Sequence, residues 1–332
     1  MDTLQVLQII WFFLIGILLA GYSVLDGFDL GIGILLPFMA KDKNDTVALF
    51  TAIGPVWDGN EVWLLTAGGA LFAAFPHAYA TVFSGFYLAL MLVLFALIFR
   101  AVSLEFWSLD EPRRSFWKWA FAIGSLLPSL LFGVALGNVV EGIPLSDSME
   151  FTGSFFTLLR PFPIAVGLTG LSAILVHGCT YAALKTEGPL HDRARLMGKR
   201  LWILFLIMLI ISAIMSGLYL PGSLKSPLGW IGAAVVIISL VIGRVWMGRT
   251  NDKVPFLMTS LSFIGLWGIA GSYQFPHLVK AAGGSGLHLS IYNSSSSELT
   301  LTVMLTIAAI GMPMVLVYTV YAYRIFKGKV NL

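Results

Sequence analysis

Runs of about twenty apolar residues, parted by short polar links, repeat from one end of this chain to the other. An α-helix of that length crosses the hydrocarbon core of a bilayer. The pattern predicts about nine such helices: Val6 to Leu25, Val47 to Phe75, Tyr79 to Phe99, Trp119 to Val140, Pro163 to Leu184, Leu201 to Leu220, Leu228 to Trp246, Pro255 to Tyr273 and Leu299 to Ile325. The first has enough apolar sequence to continue through Leu36. The alternation in ten-residue segments that marks a membrane barrel does not occur. The expected fold is an all-α polytopic membrane protein, one integral domain over residues 1–332. It would pack as two four-helix bundles, 1–140 and 163–273, with a peripheral last helix, 299–325.

Composition agrees with this pattern. Hydrophobic residues make up 58% of the chain and charged residues 11%, with a mean hydropathy of +0.88. Soluble domains carry about a quarter charged residues, so a soluble globule is excluded. Of the 20 Lys and Arg residues, all but Arg160, Lys225 and Lys280 fall in the links after the first, third, fifth and seventh spans or in the C-terminal tail. Cytoplasmic links are the basic ones, which puts the N-terminus outside and the C-terminus in the cytoplasm. Moving the register by one span would scramble this sorting, which favours an odd number of crossings. The net charge of +3 then reflects orientation and calls for no nucleic-acid partner. The N-terminal apolar run follows Asp2 with no basic residue before it and no small-residue cleavage site after it, so it reads as a retained helix. The longest links, 141–162 and 274–298, both lie on the outer side, and the second holds the patches AAGGSG and NSSSSE.

Four carboxylates interrupt the first two apolar stretches: Asp26 and Asp29 in GYSVLDGFDLGIGILL, then Asp58 and Glu61 in GPVWDGNEVWLLTAGG. An ionisable group at bilayer depth costs several kcal/mol unless it is paired, protonated or hydrated, so such residues mark working sites. From Met1 to Phe99 the basic side chains are Lys41 and Lys43, both in a polar link. The acids therefore find a cation elsewhere or hold protons. Each pair is spaced i, i+3 and projects from one helix face. Gly27, Gly31 and Gly33 surround the first pair, and Gly54, Pro55 and Gly59 the second. Such residues allow close backbone approach or local unwinding that admits polar partners. A simpler reading places Asp26 and Asp29 at a helix terminus in the interface.

Other chemistry is sparse. His177 is the histidine well inside a span, with no second histidine on a facing position, and no Walker A or C-x-x-C-H motif occurs. The lone Cys179 excludes an internal disulfide and reads as a small buried residue. Tryptophans such as Trp57 and Trp63 are ordinary at membrane interfaces. Spans, buried acids and glycine-interrupted helices would also suit an ion-coupled secondary transporter. A third reading is a structural membrane subunit whose acids pair with basic residues of a partner.

The strings YSVLDGFDLGIGIL and GPVWDGNEVWLLTAGGALFAAFPHAYATVFSGFYLALMLVLFALIFR resemble subunit II of the cytochrome bd-type quinol oxidases. So do GVALGNVVEGIP, LLRPFPIAVGLTGL and the closing SSSSELTLTVMLTIAAIGMPMVLVYTVYAYRIFKGKV. The resemblance spans the whole chain, and its departures are small: Arg160 where the family often has a neutral residue, and a Gly- and Ser-rich last outer link. It implies a bacterial cytoplasmic (inner) membrane complex, sometimes with a small accessory subunit, that oxidises quinol and reduces dioxygen to water. The resemblance places the b haems, haem d and the quinol-oxidation loop in subunit I. This chain would hold no cofactor alone, brace subunit I and, in some members, bind a structural quinone. It makes Asp29 and Asp58 the leading proton-path residues, with Asp26 and Glu61 as supports. Trp57, Asn60 and Trp63 are then candidate contacts for a quinone or the partner subunit.

Overall fold

The computed structural model describes residues 1–220, 222–223, 226–282 and 287–330. Lys225, counted above as an outer cation, and residues 283–286 of the Gly-rich patch lie outside the described residues. The chain opens with α1 (Thr3–Leu25) and α2 (Gly27–Met39), separated by Asp26 alone, so that one helical rod of 37 residues runs from Thr3 to Met39. The continuation past Leu25 is the one the apolar sequence allows, and it moves Asp26 and Asp29 from a helix terminus into the body of the rod. α1 starts at Asp2, whose carboxylate accepts the Gln5 N–H at 2.8 Å and so satisfies a free helix-end donor.

The second apolar stretch is broken in two, into α3 (Lys43–Ile53) and α4 (Trp57–Ala74). Gly54 and Pro55 stand at the break, where proline supplies no N–H to continue the ladder. There follow α5 (Pro76–Gly85), α6 (Tyr87–Leu109), α7 (Arg114–Glu141), α8 (Pro161–Lys185), α9 (Gly188–Tyr219), α10 (Pro227–Trp246) and α11 (Lys253–Gln274). A two-stranded ribbon, β1 (His277–Val279) with β2 (Leu289–Ser290), precedes the last helix, α12 (Glu298–Ile325). Among the described residues, 8 helices are long and apolar enough to cross a membrane. α4, with Asp58 and Glu61 in its first turns, is not one of them.

α2 and α8 form the centre. Every residue of α2 from Gly27 to Leu36 is buried, and so is 61% of the apolar window of α8, against 6% for α12. α2 is wedged between α7 and α8, and two glycines make this possible. A Cβ on Gly31 would lie 2.3 Å from the Ile174 carbonyl of α8, and one on Gly33 would lie 2.1 Å from Ser125 Oγ of α7. Close approach of this kind supplies the packing that holds helices together where lipid gives no hydrophobic drive between them. α7 and α8 also pack directly on each other, across the boundary between the two halves read from the sequence.

The two ends of the molecule are tied differently. At one end Lys118 Nζ donates to the Ala40 carbonyl at 2.9 Å, Arg193 pairs with Asp45, and the Val330 N–H donates to the Lys185 carbonyl at 2.8 Å. At the other, Ile143 N–H donates to Lys280 O at 2.9 Å, while Arg160 donates to Asn138 Oδ1 at 3.0 Å and Gly142 O at 2.6 Å. Those last bonds satisfy carbonyl and amide groups at the C-terminus of α7, where a cation is also favoured. The start of α1 joins this second end through Gln8 Nε2 donating to Ser295 Oγ at 2.7 Å. α12 leaves that end and finishes at the first.

Candidate functional site

Arg100 organises the site, and the reading of the sequence placed it elsewhere. The apolar run of the third span stops at Phe99, so Arg100 counted there as a cation of the following link. In the structure α6 continues to Leu109 and Arg100 lies inside it, 0% exposed. Its Nη2 donates to Asp26 Oδ1 at 3.0 Å and its Nη1 donates to Glu61 Oε1. Asp26 is wholly buried and lies beside the Tyr22 hydroxyl one turn earlier on α1; Glu61 is half-buried on α4. The guanidinium carbon sits 5.8 Å from the Trp57 ring centre and 5.9 Å from that of Phe121, within cation–π range. One arginine thus joins the α1–α2 junction, α4 and α6.

Asp29 stands apart. It is 0% exposed and has no cation within bonding distance among the described residues. Asn60 Nδ2, from α4, donates to its Oδ2 at 2.7 Å and to the Leu25 carbonyl at 2.9 Å. The Tyr323 hydroxyl, from α12, donates to Asn60 Oδ1 at 3.0 Å. Asp29 Oδ1 and Asp26 Oδ2 are buried without a hydrogen-bond partner. Asp58 lies in the first turn of α4, where the helix dipole favours an acid, and its side chain is exposed on the outside of the chain. The site therefore gathers Asp26, Asp29 and Glu61 around a single guanidinium, with Asp58 one helical turn outward from Glu61. Asn60 faces inward onto Asp29, Trp57 is half-buried over Arg100, and the ring of Trp63 packs over Gly21 of α1.

His177 does not join this cluster. It is buried in α8, with Nδ1 at 2.7 Å from Thr259 Oγ1, Nε2 at 2.9 Å from the Val24 carbonyl, and its ring stacked 4.8 Å from Phe256. Cys179, two residues on, is likewise packed in the core. Among the described residues no group of three His, Cys, Asp or Glu side chains is spaced to hold a metal ion.

The model of the family described as cytochrome bd terminal oxidase subunit II matches residues 7–326. The chain belongs to that family. It is 34% identical to the probable cytochrome oxidase subunit 2 of Haemophilus influenzae, covering 98% of this chain and 96% of that one. It is 33% identical to the cytochrome bd-I ubiquinol oxidase subunit 2 of Escherichia coli, over the same shares of the two chains. Against the cytochrome bd ubiquinol oxidase subunit 2 of Bacillus subtilis it is 30% identical over 97% of this chain and 96% of the relative. The solved bd oxidase from Geobacillus thermodenitrificans holds a chain of the same fold, with a TM-score of 0.79 at 17% identity, covering 97% of this chain and 98% of that one. Membership in the bd oxidase subunit II family makes this a multi-pass membrane subunit of a respiratory oxidoreductase whose complex carries haem, and it implies a subunit I partner. The ion-coupled carrier loses its support.

Proposed function

We propose that this chain is the haem-free subunit of a quinol:dioxygen oxidoreductase in the bacterial cytoplasmic membrane. In this reading it braces the haem-bearing subunit I and passes it protons taken from the cytoplasm. The observation that carries the proton role is the charge count at Arg100: one guanidinium faces Asp26 and Glu61 directly, and Asp29 lies beside them with no cation of its own. A buried negative charge without a counter-charge is too costly to keep. A proton supplies what the arginine cannot: three carboxylates face one guanidinium, so the site can take protons up and hand them on. Asp58, exposed on α4, receives it; Glu61 leads inward; Asp29 is the buried station. Asp26 and Glu61 serve as supports held in place by Arg100.

Topology supports the same direction. The start of α1 and the end of α12 lie at opposite ends of the bundle. That is the arrangement of an odd number of crossings, the ninth being supplied by the α3–α4 stretch, with the N-terminus outside. Lys41, Arg113, Lys118, Lys185 and Arg193 then share the cytoplasmic end. Trp57 and Trp63, on the same helix as Asp58, are assigned to contact with subunit I or a structural quinone; quinol itself, an accessory subunit and the lipid bilayer complete the partners. Replacing Asp58 with Asn tests the path. Oxygen consumption by the assembled complex falls severalfold while the haem spectrum and subunit content stay those of the native enzyme. Unchanged turnover in a fully assembled Asp58→Asn complex refutes the role.

A further inference from the structure

α12 touches the rest of the molecule sparingly, with 6% of its apolar window buried, yet one of its side chains reaches the acid site. The Tyr323 hydroxyl donates to Asn60 Oδ1 at 3.0 Å across 263 positions of sequence. Asn60 spends both N–H groups on the far side, one on the Leu25 carbonyl and one on Asp29 Oδ2. A carbonyl only accepts, so the Leu25 bond identifies which end of the Asn60 amide is nitrogen, and the Tyr323 hydroxyl gives its oxygen a donor. Asn60 is 2% exposed, so its amide is closed off from bulk water while Tyr323 is in place. The bonded chain has a chemical consequence at Asp29. Its Oδ2 already accepts from Asn60 and its Oδ1 is buried and unpartnered, which leaves Oδ1 the freer of the two oxygens to take a proton.

We propose that Tyr323 is a positioning residue for Asp29, acting through Asn60, so that the seating of the last helix sets which carboxyl oxygen carries the proton. The inference rests on the proton role given to Asp29 above. α12 is held near Tyr323 by the tail that follows it, where Lys185 Nζ donates to the Phe326 carbonyl at 2.5 Å and Val330 N–H to the Lys185 carbonyl at 2.8 Å. A cavity of about 300 Å³ opens there, with Tyr181, Tyr323, Lys185 and Phe326 in its lining, so the tyrosine stands between that space and Asn60. An asparagine amide does not relay protons as a carboxyl does, and the Tyr323–Asn60 pair orients Asp29 without carrying its proton.

The test is infrared spectroscopy of the whole oxidase complex. Subtracting the Asp29→Asn spectrum from the native one isolates the Asp29 carboxyl, as a C=O stretch when protonated or as paired carboxylate stretches when not. Tyr323→Phe removes the tyrosine donor from Asn60 Oδ1, and the expected result is a shift or splitting of the Asp29 band. Oxygen consumption falls about two- to tenfold, the factor that one net hydrogen bond implies. In an Asn60→Leu background, Tyr323→Phe changes the Asp29 band no further. Should Tyr323→Phe fail to assemble, 3,5-difluorotyrosine at position 323 keeps the shape and strengthens the donor, and the band moves without loss of fold. If the Asp29 band stays in place in either variant, Tyr323 merely anchors α12 and the proposal is overturned. A band that responds to Tyr323 while Asp29→Asn leaves turnover unchanged upholds the positioning and sinks only the proton role of Asp29.

Discussion

Arg100 shows what hydropathy hides at the level of single residues. Scanned by apolar runs, it ends a span; scanned by helix period, it sits in the buried stripe Val93, Ala96, Arg100, Ser103 and Trp107, spaced i, i+3, i+4 along α6. That stripe was present in the sequence and would have turned the arginine inward. The acids were legible because four carboxylates in apolar sequence have few innocent explanations; their partner was not, because an arginine beside a link looks like a link residue. The pairing carries a stability prediction. Arg100→Met leaves Asp26 buried and Glu61 half-buried without their cation, and breaking a buried pair in this way costs about 3–5 kcal/mol. The expected outcome is loss of assembled, haem-containing complex on purification, with yield partly restored when Asp26→Asn and Glu61→Gln are added. A single Arg100→Met complex of native yield and melting temperature contradicts the pairing.

At the scale of elements, the rod Thr3–Met39 and the break at 54–56 decide the geometry. The DGFDLGIG string does two jobs on one helix: its acids face α4 and α6, while Gly31 and Gly33 let α2 sink between α7 and α8. The glycines could be read in advance as permitting close approach, but not which neighbours would use them, since that depends on contacts remote in sequence. The ribbon end is a separate element with its own pH response. Ala281 N–H donates to His288 Nδ1 at 3.0 Å, a bond that only an unprotonated ring nitrogen accepts. The ring of His277 lies 4.7 Å from that of His288. Burial, then the neighbouring His288 and Lys280, hold His277 below the ordinary histidine range. With a depressed folded value, the opened segment binds more protons than the closed one as pH falls through about 6.5, so the closed form weakens on acidification. Amide hydrogen exchange at Ile143, Ala281 and Ile291, corrected for intrinsic rates, is expected to be faster at pH 5.5 than at 7.5. Equal protection at the two values contradicts this account.

At the scale of the whole molecule, sequence and structure agree on the class. Apolar runs alone imply a multi-pass helical protein, and the family match extends from residue 7 to 326. The number of crossings is less directly readable, because the α4 stretch carries two acids and several glycines and so falls below the hydropathy of its neighbours. On the proposed function, the lowered hydropathy and the proton path share one source, the two acids that α4 carries. The account's central claim concerns the assembled oxidase, in which buried acids of this chain feed protons to a partner that handles electrons. The most direct measurement is time-resolved proton uptake from the cytoplasmic side when the reduced complex, oriented in vesicles, meets dioxygen. With Asp29→Asn, the account predicts that uptake is delayed severalfold while the haem bands and their initial reaction with dioxygen are unchanged. Uptake at the native rate in that complex would contradict it.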